Sequence, residues 1–221
     1  MLALVDTSVK QGIRVMCVTP HFYPALFGDN AAIAVERFQE LKAYLADADP
    51  SFILCMGNEL HYQQGCHAWV SSGKCKTLNH TDNVLIDYAE NASLPEILDG
   101  VLSLLNAGFT PVLAHVERYT ALQGKKREWI ALKQDGVLFQ VDADAPLGEY
   151  GFAAKRQAMN LISGGFVDCI SSDAHNMQHR RQQMARCEKL IQNKFGVDAS
   201  RELFCHQALR ILGIKLEENH L

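Results

Sequence analysis

Short apolar runs rich in β-branched residues alternate with longer amphipathic stretches along the chain, and that alternation predicts a parallel sheet covered by helices. The strand-like runs are Arg14 to Thr19, Phe52 to Met56, Asn83 to Asp87, Pro111 to His115, Val137 to Val141 and Val167 to Ser171. Between them Ala31 to Ala46, Leu94 to Ala107 and Arg127 to Gln134 carry apolar residues at helical spacing, and Gly108 and Gly136 stand where helix C-caps are expected. Further helices are predicted at Phe152 to Ile162, Arg180 to Asn193 and Arg201 to Leu212. The chain enters on a helix, Leu2 to Gln11, closed by Gly12, where a βα barrel usually opens on a strand. No repeat, linker or low-complexity segment divides it, so residues 1–221 are read as one α/β domain.

At 221 residues the chain exceeds the commonest domain size, yet α/β barrels of this length fold as a unit. Hydrophobic residues make up 48% and charged residues 21%, enough apolar matter for a substantial core and too much for a disordered chain. The formal charge of -4 leaves no positive field to hold a polyanionic backbone, which argues against nucleic acid as a partner. No apolar run is long enough to cross a bilayer and the first residues lack a secretory leader pattern, so the expectation is a cytoplasmic protein without membrane insertion. Of the 7 cysteines, Cys17, Cys55 and Cys169 lie inside strand-like runs, where a thiol acts as a small buried hydrophobe. Without a Cys-x-x-Cys pair, a zinc ribbon or thioredoxin-type centre has no support.

In parallel α/β barrels the loops after the strands surround the barrel mouth, so polar residues at strand ends bear on function. The first predicted strand ends Thr19-Pro20-His21, the second Gly57-Asn58-Glu59, the third Ile86-Asp87, the fourth Ala114-His115 and the last Ser172-Asp173-Ala174-His175. A single histidine in such a place is more often a hydrogen-bonded structural residue than a ligand, and Glu59 or Asp87 alone would pass for a helix cap or turn residue. Their joint delivery to one rim is what points to metal. Asp173 and His175 add weight, because an Asp-x-His pair leaving a strand puts both side chains on one side. Imidazoles mixed with carboxylates suit Mn, Fe or Zn, and carboxylates that bridge imply more than one ion. Two ions ~3.5–4 Å apart clamp the attacking and leaving oxygens of a displacement at phosphorus, so the expected chemistry is phosphate-ester hydrolysis.

Arg118, three residues after His115, and Arg180, five after His175, can reach the same rim and grip phosphate oxygens bidentately. Arg181 is read as a solvated neighbour. Asp142 and Asp144 follow the fifth strand, but Pro146 and Gly148 beyond them fit turn-forming aspartates equally, so both stand only as outer partners of the site. His61, His67, His80, His206 and His220 lack strand-end spacing and are assigned surface or core roles.

The strings Val18-Thr19-Pro20-His21, Gly57-Asn58-Glu59-Leu60, Leu85-Ile86-Asp87, Leu113-Ala114-His115-Val116-Glu117-Arg118-Tyr119 and Ser172-Asp173-Ala174-His175-Asn176 resemble the bacterial PHP-type protein-tyrosine phosphatases of capsule and exopolysaccharide operons. Order and spacing match from about Val9 to Arg180. The most specific pieces are His115 to Tyr119 and Ser172 to Asn176, which set this branch apart from histidinol-phosphate phosphatases and polymerase-associated PHP domains. The resemblance implies a distorted, TIM-like (βα)7 barrel holding two to three divalent ions, often manganese. It implies His21, Glu59, Asp87, His115, Asp173 and His175 as metal ligands, with Asp173 and His175 also serving catalysis, and Arg118 and Arg180 as holders of the substrate phosphate. The implied reaction is hydrolysis of phosphotyrosine on the tail of a bacterial tyrosine kinase that governs polysaccharide export.

The chain departs from that pattern in three respects. Members open on a strand bearing a His-x-His pair, followed by an acidic loop residue. This chain begins after that point, so its barrel is expected to lack the first strand, by truncation rather than decay, since the other ligands are intact. Val116 replaces a proline, and Asp87 replaces a longer glutamate. Two open strand edges would then favour self-association into a homo-oligomer. Competing expectations are a phosphoesterase acting on a small phosphate monoester and a phosphate-binding remnant that no longer cleaves.

Overall fold

The computed structural model describes residues 2–28, 30–178 and 180–215. In chain order its elements are α1 (Leu2–Lys10), β1 (Val15–Val18), β2 (His21–Phe22), α2 (Pro24–Phe27), α3 (Ala31–Ala48), β3 (Ile53–Met56), β4 (Glu59–His61), α4 (His67–Ser71), β5 (Asn83–Asp87), α5 (Leu94–Asn106) and β6 (Thr110–Leu113). They continue with α6 (Lys126–Gln134), β7 (Leu138–Asp142), α7 (Asp144–Leu147), α8 (Gly151–Ser163), β8 (Cys169–Ser171), α9 (Met184–Phe195), α10 (Val197–Arg201) and α11 (Gln207–Ile211). A π-helical turn, Glu202–His206, joins the last two helices.

β1 pairs with β3 from Val15↔Ile53 to Val18↔Met56, and beyond a short interruption β2 pairs with β4 at His21↔Glu59. Backbone bonds from Gly57 N to Val18 O (3.0 Å) and from Glu59 N to Pro20 O (3.2 Å) carry the ladder across the gap. Pro20 has no N–H to contribute. Gly57 lies so close to Leu78 that a Cβ there would stand 2.8 Å from its side chain and 3.2 Å from its Cα, so a larger residue would have to push Leu78 aside. Asn58 fills the gap, its amide donating to Pro20 O at 3.0 Å and its Oδ1 accepting Lys76 N–H at 2.8 Å.

From β2 the order runs β2-β4-β5-β6-β7-β8, parallel throughout. Strand alternation sends Leu85, Val112, Leu138 and Cys169 into one apolar cluster with Val15 and Cys17, which Leu78, Ile211 and Leu212 complete. Strands from opposite ends of the sheet meet in that cluster, so the sheet curls on itself. The intervening Ile86, Leu113, Phe139 and Ile170 join a larger outer cluster with Ile97, Val101 and Leu104 of α5, Leu132 of α6 and Leu161 of α8. A third cluster unites Val5 of α1, Leu41 and Leu45 of α3 and Phe52 with Met16 and Val18.

α5 shows how sequence sets an element. Ser93 Oγ accepts Glu96 N–H at 3.4 Å while Glu96 Oε2 accepts Ser93 N–H at 2.7 Å, a reciprocal cap that satisfies two free donors. Gly108, at φ +86, ends the turn in the left-handed conformation that glycine adopts without strain. Burying Ile97, Val101 and Leu104 contributes about 1.5–3 kcal/mol each.

Among the described residues no pairing joins β1 to β8. A cavity of about 470 Å³ lies there, lined by Val5 and Ser8 of α1, Cys17 and Val18 of β1 and Ser171 of β8. The α/β class and the parallel, curled sheet agree with the sequence. Two strands were not expected: β2 and β4 have 2 and 3 residues, too short to show any period. α9 starts at Met184 and not at Arg180, because the Arg180 carbonyl is engaged in the preceding loop, accepting His175 N–H at 2.8 Å and Asn176 N–H at 3.2 Å. The helix expected from Arg201 to Leu212 is interrupted by the π-helical turn. The 7 cysteines are free thiols, and no described helix is long and apolar enough to cross a membrane.

Candidate metal centre

The register of β2 against β4 sets His21 opposite Glu59. His21 Nδ1 is 2.9 Å from Glu59 Oε2, and His115 Nε2, arriving just beyond β6, is 3.1 Å from Glu59 Oε1. Glu59 is thus a buried carboxylate between two imidazoles. Donor atoms of Glu59, Asp87 and His115 all lie within 4.8 Å of one another, and all three residues are buried. From the far side His175 Nε2 approaches His21 Nε2 at 3.3 Å, with Asp173 Oδ1 3.5 Å from His175 Nδ1. Arg180 reaches the same end of the cluster, its Nη2 3.0 Å from Asp173 Oδ2 and its Nη1 3.2 Å from His175 Nε2. The six residues singled out as ligands therefore form one connected group.

Two of them sit in strained backbone. His115 has φ +36 and Asp173 φ +44, left-handed values that cost a residue other than glycine ~1–3 kcal/mol and persist only where the surroundings enforce them. For His115 the enforcement is visible. Its N–H donates to Gln140 Oε1 at 2.5 Å, and the Gln140 amide donates in turn to Asp142 Oδ1 at 2.9 Å and Ser171 Oγ at 2.8 Å. The Tyr119 hydroxyl donates to the Ala114 carbonyl at 2.7 Å and accepts Tyr88 N–H at 3.2 Å, tying the ends of β5 and β6 together beside Asp87 and His115.

Burial alone would raise the Glu59 carboxyl, but hydrogen bonds from His115 and His21 outweigh it and hold the group well below the usual carboxylate range. The same hydrogen bond to Glu59 raises His21 above its ordinary value. His115 is pulled down by burial and then raised above its ordinary value by its bond and charge contact with Glu59. The donor set fits divalent cations. Carboxylate and imidazole lone pairs converge on common space, His21 and His175 turn ring nitrogens toward each other, and among the described residues the buried His115 Nδ1 has no hydrogen-bond partner. Arg118 is placed differently: its Nε is 3.0 Å from Glu90 Oε1 and its guanidinium lies 5.2 Å from the centre of the Tyr150 ring.

A family model described as "Capsular polysaccharide synthesis, CpsB/CapC" matches residues 1–213. The chain belongs to this family. It is similar to the tyrosine-protein phosphatase CpsB of Streptococcus pneumoniae, with 26% identity over 215 residues that span 95% of this chain and 88% of that protein. It is also similar to the tyrosine-protein phosphatase YwqE of Bacillus subtilis strain 168, with 22% identity over 196 residues, 88% of this chain and 77% of that protein. A solved structure from work on YwqE of Bacillus subtilis and CpsB of Streptococcus pneumoniae, described as unique metal-dependent tyrosine phosphatases, matches with a TM-score of 0.86. That match covers 98% of this chain and 87% of the other at 21% identity, and it establishes the fold.

Within this CpsB/CapC chain the structure corrects several sequence assignments. His61, read from the sequence as a surface or core residue, adjoins the candidate cluster, its Nδ1 3.0 Å from Asp87 Oδ2 and its ring stacked on Tyr23 at 4.2 Å between centroids. The signal was there: in a strand Glu59 and His61 share a face, so a Glu-x-His string delivers both. Asp142 is not a turn residue but a fully buried end of β7, and Glu117 beside it is equally buried. Burial, followed by repulsion from Asp142, holds the Glu117 carboxyl well above its usual range; burial and the charge of Asp173 do the same for Asp142. Asp144 opens α7 and accepts a hydrogen bond from Gln183 Nε2 at 2.7 Å. Arg181 is exposed as expected, and His206 pairs with Glu202 at 3.0 Å on the terminal helices. His220 lies outside the described residues.

Proposed function

We propose that this chain is a divalent-metal-dependent phosphatase acting in the cytoplasm on phosphotyrosine in a protein. Its substrate would be the tail of a bacterial tyrosine kinase that regulates capsule or exopolysaccharide synthesis. The observation carrying this reading is the convergence of Glu59, Asp87 and His115 within 4.8 Å, with His21, His175 and Asp173 linked to them. These six residues would hold the ions, manganese first with iron or zinc as alternatives, since the donor mixture suits all three. Bound there, divalent ions supply activated water and offset charge on phosphoryl oxygens.

The chain's own residues prepare the site. Glu59, kept ionised between two imidazoles, is a carboxylate without a proton to lose. Gln140 and the left-handed turn at His115 keep that imidazole pointed at Glu59. Arg180, beside Asp173 and His175, offers a fork of N–H donors to a phosphate arriving at the cluster. Arg118 pairs with Glu90, whose side chain is 63% exposed, so a phosphate dianion competes with a partner that returns readily to water.

The test pairs turnover with metal content. With manganese present, a phosphotyrosyl peptide should be dephosphorylated faster than a sugar phosphate, and elemental analysis should find fewer ions per chain in His115→Ala and Asp173→Ala than in the parent. Unchanged ion counts in both variants, or a preference for the sugar phosphate, overturn the reading.

A further inference from the structure

We infer that Phe27, the last residue of α2, is the residue that selects an aromatic ester, its ring forming one wall of the space that receives the phenyl group next to the phosphate. The inference rests on the phosphatase reading above and adds to it a specificity-determining residue.

Phe27 lines the same 470 Å³ cavity as His21, Glu59, His115, Asp173 and His175, and among the described residues it is, apart from the histidines, the one aromatic residue in that lining. Its ring stacks on His21 with centroids 5.9 Å apart and planes inclined by 17°. Tyr23 meets it edge-on at 6.4 Å and 87°, and Tyr23 itself lies on His61 at 4.2 Å. The ring is therefore braced on two sides by groups that belong to the centre or touch it. Even so, Phe27 is 50% exposed, and its neighbour Leu26 is 66% exposed.

An isolated exposed apolar side chain is ordinary. This one differs because its open surface adjoins the catalytic cavity and its covered face rests on a candidate ligand. In an aryl phosphate the ring begins one bond from the ester oxygen, so it is the first part of the substrate outside the phosphoryl group. A phosphoryl group held at the ligand cluster puts that ring within reach of Phe27, where stacked and edge-on contacts are both open to it. A seryl or sugar ester puts only a saturated carbon there, which has no ring to pair with Phe27.

The experiment uses two non-hydrolysable ligands, phenylphosphonate and propylphosphonate, so that leaving-group chemistry plays no part. Dissociation constants are measured by calorimetry on the manganese-loaded chain and on Phe27→Ala, Phe27→Leu and Phe27→Trp. Phe27→Ala and Phe27→Leu should weaken phenylphosphonate roughly three- to tenfold while propylphosphonate changes by less than about twofold, and Phe27→Trp should keep the aryl preference. Retained propylphosphonate binding also shows that the variants are folded at the site. Equal weakening of both ligands, unchanged selectivity, or no binding of either by the parent overturns the inference. Ring-selective binding without turnover of any ester would remove the phosphatase reading and leave Phe27 as an aryl-binding wall. Turnover of phosphotyrosine with selectivity unchanged in Phe27→Ala would do the reverse.

Discussion

Tyr119→Phe removes a single oxygen from a fully buried ring, and its consequence follows from two hydrogen bonds. The hydroxyl donates to the Ala114 carbonyl at 2.7 Å and accepts the Tyr88 N–H at 3.2 Å. Without it, both backbone groups are left in the interior with no partner, and neither has water to turn to. A buried group so orphaned costs ~1–3 kcal/mol, so two of them at the lower end of that range give about 2–4 kcal/mol of destabilisation. For a chain of this size that corresponds to a fall in Tm of roughly 4–16 °C. Thermal and urea unfolding of metal-free protein would measure it. Tyr88→Phe is the control, because its hydroxyl donates only to the Ile97 carbonyl at 3.1 Å. A loss in Tyr119→Phe no larger than in Tyr88→Phe would refute the claim that this hydroxyl ties β5 to β6. Since Ala114 and Tyr88 adjoin His115 and Asp87, manganese affinity should fall along with stability.

Two further outcomes are expected. Metal-free protein should lose stability as the pH rises above 6.5, because Glu59 raises both His21 and His115 above that value, and stabilisation from a raised histidine is present below its unfolded pKa and lost as the pH climbs through its folded one. The depressed Glu59 acts in the opposite direction, its contribution being lost only in acid. Manganese, which needs neutral imidazoles, should reverse the alkaline slope, and Glu59→Gln should flatten it; identical melting curves with and without the ion from pH 6 to pH 9 would refute this account. His61→Ala leaves Asp87 without its imidazole partner and should weaken manganese binding about 10–100-fold, measured by competition with a chelating dye, whereas an unchanged affinity would return His61 to a packing role.

Much of this arrangement is legible in the chain itself, for identifiable reasons. Val84-Leu85-Ile86 is a short apolar run bounded by the polar Asn83 and Asp87, and it forms β5 over the same five residues. His115 and Asp173 stand at or just beyond the apolar runs Pro111 to His115 and Val167 to Ser171, which are longer than the strands they form and can be seen in the sequence, so their positions could be read from order alone. His61 escaped because β4 is too short to announce itself, and only a strand makes Glu59 and His61 neighbours on one face. For Asp142 the sequence left two readings open, because Pro146 and Gly148 do mark a turn; α7 begins only at Asp144, which leaves Asp142 at the end of β7, where it accepts a hydrogen bond from Gln140. Arg118 stood at the right distance from His115, yet its direction depends on Glu90 and Tyr150, which spacing along the chain does not reveal.

The paired interruptions at Thr19-Pro20 and Gly57-Asn58 make a shared crease in the sheet. Because hydrogen bonds continue across it, one strand cannot bend there unless its neighbour bends in the same place. His21 and Glu59 leave the crease aimed at each other. A one-residue insertion on one side alone would turn its ligand to the opposite face, while matched insertions on both would carry the pair along together. The imidazole–carboxylate pair is therefore a property of two segments altering in step, and a variant that changes one of them needs its counterpart in the other.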